Sequence, residues 1–456
     1  MISGARIGCI GGGLAGLTAA YRLQQAGADV VVFEAAGAVG GRTITDDVEG
    51  FRIDPATQLF GSMYSGVRRL VEELALGNSW HRSPGRDALW RGGRAHEVVY
   101  GSVMSMLTSG GLPLRTKLRL GTHYLPYLSE KAALLDLHHL YRAAAGGLDR
   151  ESIAEWGERE IGRDFVDYLV YPLLTAYYGS EPDETVSAVY HLLARQGLEV
   201  SVYALSGGAG QLCEAVAARI RSGGGEVMTG ATAAAVEESD TGVGVRFSGS
   251  QGDRFESFDG VVVATPAPVA KRLLGQADTE LGRWLDGVRY RPAVSTALLL
   301  DQPLHARYFG LSFPRGEAGV ISSLCVEENK VSGLVPANQG LLVAFASPTN
   351  AAQLWEASSR EVVDVVLPEV VRTFERIESR IRRAKVYRWE HGNAIFYPGY
   401  LQHLTRFHEG GVEGGGPIVL AGDYLRFPNT EGAVTSGEAA AMRLQRRLER
   451  SGPAQR

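Results

Sequence analysis

Two short apolar stretches near the N-terminus enclose one amphipathic stretch. Residues 5–10 and 29–34 are apolar at nearly all central positions, as expected of parallel strands that are covered on both faces. Between them, residues 14–26 carry apolar side chains at helical spacing, and Gly27 follows at the position of a C-terminal cap. This order predicts a βαβ unit, with both strands in one parallel sheet and the helix packed on it.

Glycines connect the first predicted strand to the helix. Gly11 permits a tight turn, Gly13 lets the backbone approach a diphosphate, and Gly16 lets the helix pack closely on the strand. The helix begins at Leu14 and Ala15, so its first backbone amides and its macrodipole face a bound phosphate. The turn therefore predicts a dinucleotide site.

Glu34 ends the second predicted strand and supports the same interpretation. A carboxylate at this place accepts hydrogen bonds from the hydroxyls of an adenosine ribose. Its negative charge disfavours a 2′-phosphate on that ribose. Strand, glycine turn, helix, second strand and acidic end together indicate a dinucleotide without a 2′-phosphate.

Length and composition limit the class of protein. A chain of 456 residues predicts two or three domains, because a single hydrophobic core stops growing below this size. The net charge of -5 provides no basic field, so nucleic acid is not expected as a partner. Cys9, Cys213 and Cys325 are far apart and fit no metal-ligand spacing, so no metal site is predicted.

The chain contains no apolar run near the ~18 residues that a bilayer-spanning helix needs, and we expect a cytoplasmic protein. Residues 101–128 interleave apolar and basic side chains, a pattern that favours a lid helix packed on the core. Weak contact of this segment with a membrane surface is the alternative. The oligomeric state, monomer or homodimer, stays open.

Motifs beyond the first unit point to one family. The turn Gly40-Gly41-Arg42 follows shortly after Glu34, and Ala421-Gly422-Asp423 precedes Glu431-Gly432-Ala433 near the C-terminus. In this order the motifs resemble those of the superfamily of FAD-dependent amine oxidases, phytoene desaturases and protoporphyrinogen oxidases, nearest the protoporphyrinogen oxidase-like and desaturase branch. The resemblance implies an α/β fold in which a Rossmann-like FAD-binding domain carries an inserted mixed α+β substrate domain.

The resemblance also implies roles at the cofactor. Arg42 is expected along the FAD pyrophosphate, Asp423 at a ribityl hydroxyl, and the helix starting near Gly432 with its N-terminus toward the flavin. Asp54 resembles the aspartate that follows the arginine turn in the family. The predicted FAD-contacting residues are Gly11, Gly13, Leu14, Ala15, Gly16, Glu34, Ala35, Gly41, Arg42, Ala233, Ala264, Gly422, Asp423, Glu431, Gly432 and Ala433.

The same motifs and the loop boundaries divide the chain into five segments. Residues 1–75, 205–280 and 400–456 are predicted to form the FAD-binding domain. Residues 76–204 are predicted as the helical part of the substrate domain, and residues 281–399 as its sheet part.

Five residues are candidates for the substrate site. Thr296 lies where amine oxidases of the family carry a lysine, and that missing lysine favours the desaturase or porphyrinogen branch. Tyr177, Thr296 and Phe396 are predicted to line the substrate pocket. His391 and Tyr397 are candidates for a proton acceptor or a wall residue, with a purely packing role as the alternative for each.

The implied activity is dehydrogenation of a bulky, largely apolar small molecule by hydride transfer to flavin N5. A porphyrinogen, a polyene or a biosynthetic intermediate of secondary metabolism fits this description, with molecular oxygen or another small oxidant as electron acceptor. Oxidation of an amine or amino acid is the alternative within the same chemistry. A non-redox flavin-dependent isomerase, and an interaction module with FAD as a structural part, are alternatives of other classes.

Overall fold

The structure is a computed structural model that describes residues 2–99, 102–239, 242–250, 252–275 and 279–450, without the side chains of Val103, Met106 and Leu107. Part of the predicted lid segment, at residue 101 and at the side chains of Met106 and Leu107, thus lies outside the described residues. The described strands are β1 (Arg6–Ile10), β2 (Asp29–Glu34), β3 (Asp46–Val48), β4 (Phe51–Ile53), β5 (Phe60–Gly61), β6 (Trp80–Arg82), β7 (Arg86–Arg91), β8 (Arg94–Val99), β9 (Val202–Leu205), β10 (Glu226–Thr229), β11 (Thr232–Ser239), β12 (Gly242–Gly249), β13 (Gly252–Phe258), β14 (Gly260–Val263), β15 (Arg289–Leu300), β16 (Gly310–Ser312), β17 (Ile321–Val326), β18 (Gly340–Ala346), β19 (Ile381–Ile395) and β20 (Ile418–Leu420).

The described α-helices are α1 (Leu14–Gln25), α2 (Ser65–Glu73), α3 (Val103–Thr108), α4 (Leu114–Arg119), α5 (Leu125–Glu130), α6 (Ile153–Glu160), α7 (Arg163–Phe165), α8 (Tyr171–Tyr178), α9 (Ser187–Gly197), α10 (Gln211–Ser222), α11 (Ala267–Leu273), α12 (Glu280–Asp286), α13 (Pro348–Leu354), α14 (Ser359–Thr373), α15 (Tyr400–Glu409) and α16 (Thr430–Arg450). Two π-helical segments, Leu120–Tyr124 and Val166–Val170, join α4 to α5 and α7 to α8.

A parallel sheet of five strands, in the order β10-β2-β1-β14-β20, forms the centre of the first domain. Its inner strands are apolar at their central positions because helices α1, α10 and α16 cover one face and the β11–β13 sheet covers the other. Helices α1 and α16 pack closely, since a Cβ at Gly437 would overlap the carbonyl oxygen of Ala15. The predicted βαβ unit is confirmed as β1, α1 and β2.

A second sheet of seven strands, in the order β19-β15-β18-β17-β16-β7-β8, forms the centre of the part that the sequence predicted as the substrate domain. Its pairs are antiparallel except for β16 and β7, which run parallel. Strands β7 and β8 come from the 76–204 segment, which the sequence predicted as helical. That prediction missed them because Ala88, Leu89 and Trp90 are a short apolar run, too short to separate strand from helix by periodicity.

Helices of the 76–204 segment pack around one aromatic cluster. The rings of Tyr124, Tyr127 and Trp156 surround His191, whose Nδ1 lies 3.1 Å from the hydroxyl of Tyr124. Burial lowers the pKa of His191 to about 3, so this histidine is a neutral core residue.

The predicted lid segment contains α3, α4 and α5. Met104, Leu114 and Leu118 on it are mostly exposed, while Arg115 forms an ion pair with Asp164. In the described part of the chain, no helix combines the length and the apolar character that crossing a bilayer requires. Contact of this segment with a membrane surface stays a prediction.

Candidate active site

A cavity of about 740 Å³ extends from the carboxyl ends of β1, β2 and β14 into the substrate domain. Strands β2 and β14 lie on opposite sides of β1, so the cavity opens where the connections leave the sheet in different directions. In open α/β sheets, this switch point is where ligands bind. One continuous space therefore joins the predicted dinucleotide site to the two inserted segments.

The glycines in the turn between β1 and α1 have two different roles. At Gly11, with φ of 104°, a Cβ would come within 2.7 Å of the carbonyl oxygen of Ala264, and at Gly16 it would overlap the oxygen of Gly11. At Gly13, a Cβ would meet nothing within 4 Å. Gly11 and Gly16 therefore permit close packing, whereas Gly13 keeps the backbone open to the cavity. Gly16 lies behind the loop and does not line the cavity.

Glu34 holds the glycine turn from the end of β2. Its carboxylate accepts hydrogen bonds from the backbone amides of Gly12 at 2.7 Å and Ala36 at 2.8 Å. Glu34 and Ala35 both line the cavity. The first turn of α1 contains no acidic residue and no side-chain cap, so the partial positive charge at this helix end faces the same space.

Arg42 and Asp423 meet in the cavity wall although they are far apart in sequence. The guanidinium forms a bidentate ion pair with the carboxylate, at 2.9 and 2.8 Å, and also donates to the carbonyl of Gly392 at 3.0 Å. Both side chains line the cavity. The sequence assigned them to different parts of the cofactor, and the structure brings them together as one polar group. Other predicted cofactor residues also line the cavity, namely Gly11, Gly13, Leu14, Ala15, Gly41, Ala233, Ala264 and Gly422.

The C-terminal motif splits between the cavity and the core. Ala433, on the first turn of α16, lines the cavity. Glu431 is buried and turned away from it, since its carboxylate accepts from the amides of Gly66 at 2.9 Å and Val67 at 3.0 Å and so caps α2. Gly432 is required for packing, because a Cβ there would overlap the carbonyl oxygen of Phe427.

Sequence reasoning missed the residue that precedes α16. Asn429 lines the cavity, and its Oδ1 accepts a hydrogen bond from the amide of Gly432 at 2.8 Å. Asparagine directly before a helix is a common N-cap, so the signal was present. Its amide nitrogen donates to the hydroxyl of Tyr64 at 3.1 Å, another cavity residue that the sequence did not indicate.

The substrate half of the cavity is formed mainly by small and apolar side chains from α8, β15–β18 and α13. Its lining residues include Thr175, Ala176, Tyr177, Tyr178, Val294, Ser295, Phe309, Ser312, Ser323, Cys325, Phe345, Ala346, Pro348 and Ala351. Tyr177, predicted as a pocket residue, is one of them, and its hydroxyl bonds to Asp87.

Thr296 and Phe396, the other predicted pocket residues, lie outside this lining. On β15, Ser295 faces the first domain, where its hydroxyl donates to the carbonyl of Pro55 at 2.7 Å. Thr296 therefore points to the opposite face of the sheet, and its buried hydroxyl has no hydrogen-bond partner among the described residues. Phe396 is buried against Tyr400, at 4.5 Å between ring centroids.

The two catalytic candidates, His391 and Tyr397, differ in their position relative to the cavity. His391 lines the cavity with its ring 5.2 Å from that of Tyr290. Burial, with the nearby guanidinium groups of Arg42 and Arg272, lowers the pKa of His391, so the imidazole is neutral at pH 7. Tyr397 does not line the cavity, because its hydroxyl donates to the carbonyl of Gly287 at 2.7 Å. Its role is packing.

The described lining of the cavity contains no lysine, but a buried lysine lies behind it. Lys330 forms ion pairs with Asp54 at 2.8 Å and Glu327 at 2.6 Å, and donates to Gln58 at 2.9 Å. Burial raises the pKa of Glu327 to about 7, although the ammonium of Lys330 opposes this shift. Gln58 lines the cavity, so this cluster supports the wall.

These features fit a dinucleotide with a flavin. The open backbone at Gly13 and the uncapped start of α1 suit a diphosphate, and the carboxylate of Glu34 suits ribose hydroxyls. Two buried hydroxyls on the lining, those of Thr265 and Tyr424, have no hydrogen-bond partner in the described residues. The wall thus retains hydrogen-bonding capacity that a bound polar molecule can use.

Comparisons with known proteins agree with this site. Residues 14–445 match the family described as flavin containing amine oxidoreductase. A relative from Arabidopsis thaliana, protoporphyrinogen oxidase 2, is 27% identical over 186 residues, which cover 40% of this chain and 34% of that protein. The chain thus spans about a third of that relative. The 15-cis-phytoene desaturase of the same plant is 23% identical over 94% of this chain and 78% of its own length.

A solved structure shows the same fold. Cyclohexylamine oxidase from Brevibacterium oxydans IH-35A superposes with a TM-score of 0.75 at 20% identity, covering 98% of this chain and 100% of that chain. The predicted family, fold and cofactor are therefore confirmed. This chain belongs to the flavin-containing amine oxidoreductase family, whose members bind FAD.

Proposed function

We propose that the protein is an FAD-dependent oxidoreductase that dehydrogenates a bulky, largely apolar small molecule. The observation that carries this proposal is that one continuous cavity joins the dinucleotide site to the substrate half, which is formed by both inserted segments. We call this substrate half the chamber. A cofactor bound at the glycine turn and a substrate bound in the chamber would share one enclosed space. A porphyrinogen, a polyene or an intermediate of secondary metabolism fits such a chamber.

Residues of the first domain would hold the cofactor. The amides at the start of α1 bind the diphosphate, Glu34 binds the adenosine ribose, and Arg42 with Asp423 provides polar contacts between them and the chamber. The start of α16 directs partial positive charge into the cavity at Ala433. When bound, FAD supplies a two-electron acceptor for a hydride from a substrate carbon.

The chamber would orient the substrate and exclude water. In the described lining, the basic residues are Arg42, Arg272 and Arg388, and the strands and helices of the substrate half contribute only Arg388. Arg388 donates to the carbonyl of Ala357 at 2.7 Å, and its guanidinium keeps its charge. The described lining of the substrate half thus offers one cation, and burying a substrate with several carboxylates would be costly. Substrates with little or no negative charge are favoured.

His391 is the candidate for removing the second hydrogen as a proton. A neutral imidazole in the cavity wall accepts a proton from the carbon or nitrogen next to the oxidised carbon. Its lowered pKa lets it release that proton again at neutral pH.

Oxidation of an amine is the second candidate. It is supported by the likeness to cyclohexylamine oxidase, which extends over 98% of this chain. The aromatic rings of Tyr177, Tyr178 and Trp389 line the cavity and would accommodate a hydrophobic amine.

An anaerobic reduction experiment tests both candidates. The flavin-loaded protein is mixed without oxygen with a porphyrinogen ester, a polyene and a hydrophobic amine, and the flavin absorption is recorded. We expect the ester or the polyene to bleach the flavin, and the free porphyrinogen acid to do so more slowly than its ester. Molecular oxygen should then restore the colour.

Bleaching by the amine alone would replace the first candidate with the second. Rearrangement of double bonds after chemical reduction of the flavin, with no bleaching by any compound, would contradict both and support a non-redox isomerase.

A further inference from the structure

Three uncharged polar side chains from separate segments meet in the cavity wall. Tyr64 lies just before α2, Tyr178 ends α8, and Asn429 directly precedes α16. All three line the cavity. The cluster therefore lies where the first domain contacts the helical insert, and none of the three was a candidate from the sequence.

Hydrogen bonds fix the orientation of the cluster. The Oδ1 of Asn429 accepts from the amide of Gly432 at 2.8 Å, which leaves its Nδ2 directed at the tyrosines. Nδ2 donates to the hydroxyl of Tyr64 at 3.1 Å. The side chain of Tyr178 lies beside both, so that they influence the pKa of its hydroxyl. The cap of α16 thus holds Tyr64 in place beside Tyr178.

The numbers of donors and acceptors in the cluster do not match. An asparagine amide has two N–H hydrogens and each phenol has one O–H hydrogen, so the cluster has four donor hydrogens. Three side chains can form at most three bonds with one another, and the bond from Asn429 to Tyr64 is one of them. At least one donor hydrogen therefore has no acceptor within the cluster, and the described hydrogen bonds provide none outside it.

The cluster is also electrically neutral. Burial raises the pKa of Tyr64 and of Tyr178, so both phenols keep their protons at neutral pH. The charged group that acts on Tyr64 is Glu431, whose carboxylate is bound to the amides at the start of α2. The remaining hydrogen thus suits a neutral acceptor, because a buried ion would lack a counter-charge.

We propose that Tyr64, Tyr178 and Asn429 form a substrate subsite that donates one hydrogen bond to a neutral acceptor, either a carbonyl oxygen or an imine-type nitrogen. The subsite rests on the proposed function and narrows it. The substrate is a bulky apolar molecule that carries such an acceptor on its frame. A plain hydrocarbon of the same shape would leave the donor hydrogen buried without a partner, and the site would discriminate against it.

A matched pair of ligands tests the subsite. Flavin-loaded protein is titrated with 9-fluorenone and with fluorene, which have nearly the same shape and differ in one carbonyl group, and dissociation constants are measured by calorimetry. We expect fluorenone to bind about three- to tenfold more tightly, the range of one neutral hydrogen bond. The triple variant Tyr64→Phe/Tyr178→Phe/Asn429→Ala should bind both ligands equally, because none of the four donor hydrogens of the cluster then remains.

Control variants separate this effect from altered folding. Tyr141→Phe, a buried tyrosine outside the cavity lining, should keep the preference for fluorenone. Flavin content and the thermal unfolding midpoint are measured for each variant. If the triple variant does not fold, Asn429→Asp should reduce the preference in the same direction, because its carboxylate can still accept from the amide of Gly432 and also accepts from both phenol hydroxyls.

Each remaining outcome has a distinct meaning. Equal binding of both ligands to the unaltered protein would overturn the subsite and leave the apolar chamber intact. Binding of neither ligand would contradict the chamber itself, and the subsite with it. A shifted flavin absorption in ligand-free Tyr64→Phe, with the preference unchanged, would assign the hydroxyl to the cofactor and overturn the proposal.

Discussion

The two halves of the cavity are built from different parts of the polypeptide. In the dinucleotide half, backbone amides and glycines at the ends of β1, β2 and β14 form the wall. In the substrate half, side chains from α8 and the seven-stranded sheet form it. A wall of backbone needs particular residue types at fixed spacing, whereas a wall of side chains needs only the correct volume.

One buried ionic cluster connects the halves. Lys330 of the sheet insert binds Asp54 and Gln58, which belong to the first segment of the FAD-binding domain. Asp54 in turn accepts from the hydroxyl of Thr45 at 2.6 Å and the amide of Ala209 at 2.9 Å. Three distant parts of the chain, around residues 45–54, 209 and 330, therefore meet at one carboxylate.

The largest effect is expected from removing the cation of this cluster. Lys330→Met leaves the carboxylates of Asp54 and Glu327 buried without their counter-ion, and should lower the free energy of unfolding by about 3–5 kcal/mol. Urea denaturation of the flavin-loaded protein measures it. The control is Lys385→Met, which breaks the partly exposed ion pair with Asp46 and should change stability by about 1 kcal/mol or less. If both variants lower the free energy of unfolding equally, the ionic cluster around Lys330 does not hold the two halves of the cavity together.

The next effect distinguishes two glycines of the same turn. Gly16→Ala places a methyl group against the backbone oxygen of Gly11 and should destabilise the protein by about 3 kcal/mol. Gly13→Ala meets no neighbour, so its unfolding temperature should not change, while its flavin content should fall. Thermal unfolding and released flavin are compared for the two variants. A stable Gly16→Ala protein would show that the close packing is not needed.

A smaller effect is expected at Glu34. Glu34→Ala removes the acceptor for the amides of Gly12 and Ala36 together with the predicted ribose contact. Flavin affinity should fall by about ten- to a hundredfold, the range of one or two hydrogen bonds to a charged group, while the protein still folds. Equilibrium dialysis against FAD gives the affinity. A protein purified with its full complement of FAD would refute the assigned role.

The smallest effect is expected at Thr296. Its hydroxyl is buried outside the cavity lining and has no hydrogen-bond partner among the described residues. Thr296→Val should therefore keep flavin content and turnover, and should leave stability unchanged or raise it by about 1 kcal/mol. Chemical denaturation and steady-state kinetics check this. A large loss of turnover would show that Thr296 takes part in the substrate site.

The sequence alone determined the dinucleotide half. Gly11, Gly13 and Glu34 were identified from it with their local structure, because a βαβ unit is contiguous and its turn restricts residue types directly. The family and the cofactor were predicted from other short motifs in which glycine lets the backbone approach the cofactor. For Glu431, the sequence predicted the position on the helix correctly but did not predict that its side chain points away from the cavity.

Tertiary structure decided the substrate half of the cavity and the ionic cluster around Lys330. Strand register placed Thr296 outside the cavity lining. Packing between distant segments brought Tyr64, Tyr178 and Asn429 together, and it also paired Lys330 with Asp54. Each of these side chains also suits an ordinary core position, so its residue type carries no signal. Contacts between residues hundreds of positions apart depend on how whole sheets and helices pack, and local sequence patterns do not specify that arrangement.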